Sequence, residues 1–174
     1  MLQLASAKEI GGMPDVAETE SSFVGNARLK AEALYAQAPE GSWVLADDSG
    51  LQVDALEGAP GVYSARFAGV GASAQACIDL LLEKLEGVEQ AKRSAQFVCT
   101  LVLLGPGKQE QVFEGIAPGH ITLGNQGESS FGYDPVFIPE GHQETYAQMG
   151  ADLKNTMSHR TRALNKLARF FRGL

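Results

Sequence analysis

The stretch Leu45-Ala46-Asp47-Asp48-Ser49-Gly50-Leu51 most constrains what this chain can become: an apolar run stops at two adjacent carboxylates, a hydroxyl and a glycine before a second apolar run begins. Ser42 to Ala46 reads as a buried strand and Leu51 to Leu56 alternates like another, so the acidic pair falls where one strand hands over to the next. Neighbours on extended backbone point to opposite faces. Asp47 and Asp48 are therefore expected to do different jobs unless a turn rotates them. An ordinary Asp-Asp-Ser-Gly turn is the alternative, since Asp and Ser bond their own backbone and Gly supplies φ > 0. The following segment, Gly58 to Gly69, is rich in small residues that let backbone approach a ligand closely.

A helix from Phe23 to about Gln37 is expected behind a Ser21 or Ser22 cap, with Phe23, Ala27, Ala31, Leu34 and Tyr35 as its apolar stripe. Asn26 and Lys30 share one face of it. Ser73 caps a second helix, Ala74 to about Leu85, with a buried face of Cys77, Ile78, Leu81, Leu82 and Leu85. Ser94 to Leu104, a Gly105-Pro106-Gly107 turn and Gln109 to Ile116 read as a hairpin. Loop 124–130 leads to Phe131-Gly132-Tyr133-Asp134-Pro135 at the head of a strand, Val136 to Ile138. Two rings, a glycine and a carboxylate suit a planar base, although buried aromatics are more often core. Ser158 caps the last helix, which packs Leu164, Leu167, Ala168 and Phe171 inward and places His159 and Arg160 in its first turn. Helix N-termini attract anions, and Lys154 reaches the same region. Periodicity alone gives an α/β class.

Three blocks in order carry a resemblance: Ser22-Phe23-Val24-Gly25-Asn26-Ala27 with Lys30; Ala46 to Leu51 followed by Gly58 to Gly69; and Phe131 to Phe137 followed by Lys154-Asn155-Thr156-Met157-Ser158-His159-Arg160. Together they resemble the non-standard purine nucleoside triphosphate pyrophosphatases, the inosine triphosphatase superfamily. The resemblance implies a long mixed β-sheet flanked by helices, with two lobes around an active cleft, in one domain spanning residues 1–174. The implied reaction is attack of water on the α-phosphorus of inosine, xanthosine or deoxyinosine triphosphate, giving monophosphate and pyrophosphate and clearing such nucleotides from the pool. By position, Asp48 is the general base and a Mg²⁺ ligand, Asp47 a supporting carboxylate, and Glu18 a second metal ligand. Ser49, Asn26, Lys30, Phe131, Gly132, Tyr133, Asp134, Lys154, His159 and Arg160 contact substrate. A homodimer is implied too.

The chain departs from the family pattern in four places. The family's first strand and its triphosphate-gripping loop have no counterpart, as though the chain starts inside or after the first helix. Glu20 stands where a Gly is usual, and Gly25 where an acidic residue is usual, which removes a carboxylate near the implied metal and weakens the helix by roughly 0.5–1 kcal/mol relative to Ala. Ser130 replaces a frequent Gly and stiffens its loop. A non-catalytic nucleotide-binding module is the alternative these departures motivate; a pyrophosphatase for modified pyrimidine nucleotides is another.

Composition bounds the partners. A 174-residue chain with 44% apolar residues buries one sizeable core. A net charge of −7 without a basic stripe disfavours polymeric nucleic acid, yet leaves a metal-bound nucleotide open. Cys77 and Cys99, the two cysteines, fit reduced thiols better than a disulfide framework, and nothing approaches a membrane span or a signal peptide. A cytoplasmic location is the expectation.

Overall fold

The computed structural model describes residues 3–128 and 131–174; Ser130 and the first two residues lie outside them. The elements run α1 (Phe23–Tyr35), β1 (Val44–Val53), α2 (Ala74–Lys84), β2 (Ser94–Leu104), β3 (Glu110–Ile121), β4 (Phe137–Pro139), α3 (Tyr146–Met149), α4 (Ala151–Met157) and α5 (His159–Arg172), with short 3₁₀ turns between. The strands form one four-stranded antiparallel sheet in sequence order, β1-β2-β3-β4. The α/β class with flanking helices is as the resemblance implied.

The chain divides into two compact units, residues 1–48 with 100–113, and residues 49–99 with 114–174. In the first, Ala27 and Ala31 of α1 pack against Ala46, Val102 and Leu104. Alanine at successive turns of one helix face lets the helix lie close to the strands, and Ser22 closes its start by accepting from Gly25 N at 3.1 Å. In the second unit, Cys77, Ile78, Leu81 and Leu85 of the α2 region join Leu51, Val53, Phe97, Ile121, Val136 and Phe137 in the larger core.

Two expectations are corrected. The acidic stretch is not a turn between strands: β1 runs unbroken from Val44 to Val53, and Gly50 has no left-handed φ. The inward face of α5 is also rotated. Leu164 is 43% exposed and Ala168 is exposed, whereas His159 and Ala163 are buried. Backbone contact decides this, because Gly115 of β3 lies against the His159 carbonyl and Ala163, and only a small residue at 163 permits that approach.

Arg93 was not anticipated. Its buried guanidinium donates to the carbonyls of Leu85 (2.9 Å), Val88 (3.0 Å) and Thr122 (2.9 Å), so one planar cation fastens the end of α2 to the strand ends. A cation there also suits the negative end of the helix. A lysine ammonium gathers its donors on one nitrogen and does not reproduce the planar fork that spans these carbonyls. Arg93→Lys is expected to cost about 3 kcal/mol in urea unfolding, on the scale of one or two lost charge-assisted bonds; a midpoint unchanged from the parent's would show the fork to be dispensable.

Candidate active site

In the first unit the chemistry gathers on Lys30. Its ammonium lies 3.0 Å from Glu18 Oε1 and 3.1 Å from Asp48 Oδ1. Strand alternation separates the two adjacent acids, as expected: Asp48 is buried on the face shared with Val44 and Ala46, and Asp47 is half-buried on the other. Burial pushes the Asp48 carboxyl above the ordinary aspartate range, with Lys30 opposing and Glu18 assisting the rise. Lys30 also loses solvation, but its bonds to Glu18 and Asp48 prevail and hold its pKa up. Asp48 Oδ2 is buried and, among the described residues, has no hydrogen-bond partner.

An orphaned carboxylate oxygen with a second carboxylate nearby is donor chemistry that suits a hard divalent cation. Among the described residues no group of three or more His, Cys, Asp or Glu side chains is arranged as a metal site. Asn26 is fully buried and occupied: its amide donates to Glu20 O (3.3 Å) and accepts from Glu20 N (3.0 Å), locking the loop that carries Glu18 and Glu20 onto α1.

The second unit holds a cavity of about 660 Å³, large enough for a nucleoside. Ser49, Phe131, Gly132, Tyr133, Asp134, Lys154, His159 and Arg160 all line it. The two aromatics of Phe-Gly-Tyr-Asp have different fates. Phe131 is 62% exposed, with Lys154 Nζ over its ring 4.6 Å from the centre. Tyr133 belongs to the core, and its hydroxyl donates to Ser64 O at 2.7 Å. Asp134 is buried and accepts from Lys154 Nζ at 2.6 Å; burial raises its pKa and the ammonium lowers it.

Ser158 caps α5 by accepting from Thr161 N at 3.2 Å, which sets His159 and Arg160 in the first turn. The His159 ring stacks on Phe97 with centres 4.9 Å apart and planes 16° from parallel, so its direction is fixed by core packing. Arg160 is exposed.

Several positioning residues escaped sequence reasoning. Ser64 Oγ accepts from Leu51 N (2.9 Å) and donates to Gly61 O (2.6 Å), tying β1 to the small-residue segment. That segment, read as a close approach for ligand, folds as a 3₁₀ turn over Gly61–Arg66, and its Ser64 and Ala65 line the cavity. The helices α3 and α4, which deliver Lys154, were unread as well. Their signal was Thr145 three residues before Gln148, a capping box in which Gln148 Oε1 accepts from Thr145 N at 2.9 Å.

Residues 1–170 match the Ham1 family. A protein of Opitutus terrae named dITP/XTP pyrophosphatase is 48% identical over 171 residues, covering 98% of this chain and 84% of that protein. One of the same name from Bacillus subtilis is 44% identical over 164 residues, 94% of this chain and 82% of the relative. Among solved structures, the HAM1 protein of Coxiella burnetii superposes with a TM-score of 0.88 at 38% identity, covering 97% of this chain and 85% of its own. The Staphylococcus aureus Ham1 protein gives 0.84 at 46% identity, over 91% and 81%. With a family match along nearly its whole length and relatives of this identity, the chain belongs to the Ham1 family.

Proposed function

We propose that the protein hydrolyses non-standard purine nucleoside triphosphates, ITP, dITP and XTP, to the monophosphate and pyrophosphate. The observation that carries the reading is the cavity, in which an exposed Phe131 face, the buried Asp134–Lys154 pair and the α5 first turn with His159 and Arg160 come together. Phe131 stacks on the purine. His159 and Arg160 donate to the 6-keto oxygen, and Asp134, kept ionised by Lys154, accepts from ring N–H. An adenine amino group in that position would leave donors facing a donor.

Asp48 takes the proton of the attacking water as its oxygen bonds to the α-phosphorus and the bond to the bridging oxygen breaks, releasing pyrophosphate. Lys30 serves this step by opposing the effect of burial on Asp48. Mg²⁺, held by Asp48 and Glu18 when bound, would offset negative charge on the phosphates. Asp47 supports from the opposite strand face, and Ser49 and Lys30 hold substrate groups; Asn26, fully buried with both amide atoms on Glu20, holds the loop and does not touch substrate. A homodimer in the cytoplasm is the setting the family resemblance implies, and no helix among the described residues is long and apolar enough to cross a membrane.

The test is kcat/KM for ITP, dITP and XTP against ATP and GTP, with pyrophosphate as the measured product and EDTA as a control. Unpaired buried donors cost roughly 1–3 kcal/mol each, so ITP is expected to exceed ATP by about tenfold or more. Equal values for ITP and ATP, or orthophosphate as product, would overturn the assignment.

A further inference from the structure

The Lys154 ammonium has one carboxylate and two rings as neighbours. Asp134 Oδ2 accepts from it at 2.6 Å, and it lies over the rings of Phe131 and Tyr146, 4.6 and 5.3 Å from their centres. The two rings differ in how firmly they are held. Phe131 is 62% exposed, whereas Tyr146 is 1% exposed and its ring lies 5.2 Å from that of Phe137 and 6.0 Å from that of Phe97, centre to centre. The turn that carries Tyr146 is locked as well. Thr145, fully buried, donates from its hydroxyl to Gln126 O at 2.6 Å and from its N–H to Gln148 Oε1 at 2.9 Å. The Tyr146 hydroxyl is buried and has no hydrogen-bond partner among the described residues. What Tyr146 offers Lys154 is therefore the face of its ring.

We propose that Tyr146 is a positioning residue for base recognition: its buried ring holds the Lys154 ammonium on Asp134 Oδ2, so that Asp134 meets the base in one fixed orientation. Lys154 lines the cavity and Tyr146 does not, so Tyr146 acts through the lysine. A lysine stem is flexible and its ammonium carries three rotatable donors, so one hydrogen bond leaves it several positions. A desolvated ring face attracts the cation electrostatically and removes that freedom. Phe131 cannot take this part alone, because it is exposed and in the proposed reading gives a face to the purine. Tyr146 is the constraint that stays when substrate arrives or leaves. Burial works against the charge on Asp134 and Lys154 opposes it, so a displaced ammonium would favour a protonated Asp134 that donates where it should accept.

The proposal rests on the reading of the cavity as the base pocket, and two readouts keep the two apart. The first needs no substrate: in the full chain carrying isotope-labelled lysine, the NMR resonance of the Lys154 ammonium is identified by its absence from Lys154→Met. It is expected to persist in Tyr146→Phe and to shift or exchange away in Tyr146→Leu. The second is steady-state kinetics with ITP and ATP, well below melting. Tyr146→Phe is expected to keep kcat/KM for ITP within about twofold and to melt no lower than the parent, since the ring stays and an unsatisfied hydroxyl goes. Tyr146→Leu is expected to lower kcat/KM for ITP about tenfold, chiefly through KM, and to narrow the preference over ATP. In a Lys154→Met background it should narrow that preference no further, because the ring then has no cation to hold. Phe137→Leu, which loosens the same aromatic cluster, is expected to melt lower with the preference unchanged. A Tyr146→Phe variant as impaired as Tyr146→Leu, or independent effects of Tyr146→Leu and Lys154→Met, would overturn the proposal. If the parent prefers ITP and the ammonium resonance is indifferent to Tyr146→Leu, the positioning role is wrong; if the resonance follows the ring and the parent does not prefer ITP, the reading of the cavity has failed and takes the part in base recognition with it.

Discussion

Asp48→Asn is expected to lower turnover of ITP by about three orders of magnitude while leaving the protein at least as stable as the parent at neutral pH. The loss in rate follows from chemistry: an amide cannot accept the proton of the attacking water and is a poor ligand for a hard cation. The stability follows from the direction of the Asp48 shift. Burial raises its pKa in the folded chain, even after the attraction of Lys30 is included. Between the unfolded and folded pKa values the folded state therefore binds more protons than the unfolded one, and stability falls as pH rises through that window. The window opens near the ordinary aspartate value of about 3.9 and closes at the raised folded value. An asparagine has no such titration. The melting temperature of the variant minus that of the parent should grow as pH rises above about 4 and level off once the raised folded value is passed. A difference that shrinks over that interval, or a variant with turnover within a few fold of the parent, would show that Asp48 is a structural ion-pair partner of Lys30 and not the reacting carboxylate.

What was legible in the sequence had local causes. Ser22, Ser73 and Ser158 are N-caps in the structure because a hydroxyl that accepts a first-turn N–H is written in a few consecutive residues. The split of Asp47 from Asp48 follows from strand period alone, and the seven residues that the resemblance implied for the nucleotide pocket line one cavity together with Ser49. What was not legible depends on partners distant in sequence. A continuous strand through Asp-Asp-Ser-Gly contradicts the local turn chemistry of those residues, and pairing in the sheet overrides it. The division of labour between Phe131 and Tyr133 could not be read from two aromatics one residue apart, since it turns on a hydroxyl bond from Tyr133 to Ser64 across 69 positions. The occupation of Asn26 by Glu20, and the filling of the space above Gly25 by the Glu20 side chain, are likewise properties of a loop folding back.

The second large effect is expected at Gly115, which carries no functional group. A Cβ there would overlap the His159 carbonyl oxygen and stand 2.5 Å from Ala163 N, both backbone atoms of α5 that cannot rotate away. The helix is held down on β3 by Arg162, which donates to Ile116 O at 2.9 Å and Met157 O at 3.0 Å, and by Lys166, which donates to Glu114 O at 2.6 Å. Gly115→Ala must therefore lift the start of α5 or bend β3. Overpacking of this kind costs about 1–3 kcal/mol or more, so a fall in melting temperature of roughly 5 °C or more is expected. The larger consequence is for the site, because the lifted turn carries His159 and Arg160. A displacement of about 1 Å at a substrate-positioning group can cost on the order of a hundredfold, so kcat/KM for ITP at 20 °C, well below melting, should drop by tenfold or more. Preference for ITP over ATP should narrow with it, since the same donors read the base. Gly119→Ala is the control: it overpacks β3 against Ile138 and Phe137, and is expected to lower the melting temperature with a smaller change in base preference. If Gly115→Ala melts early but keeps parent-like kcat/KM and base preference at 20 °C, the first turn of α5 is not what positions the base, and the roles given to His159 and Arg160 would have to be reassigned.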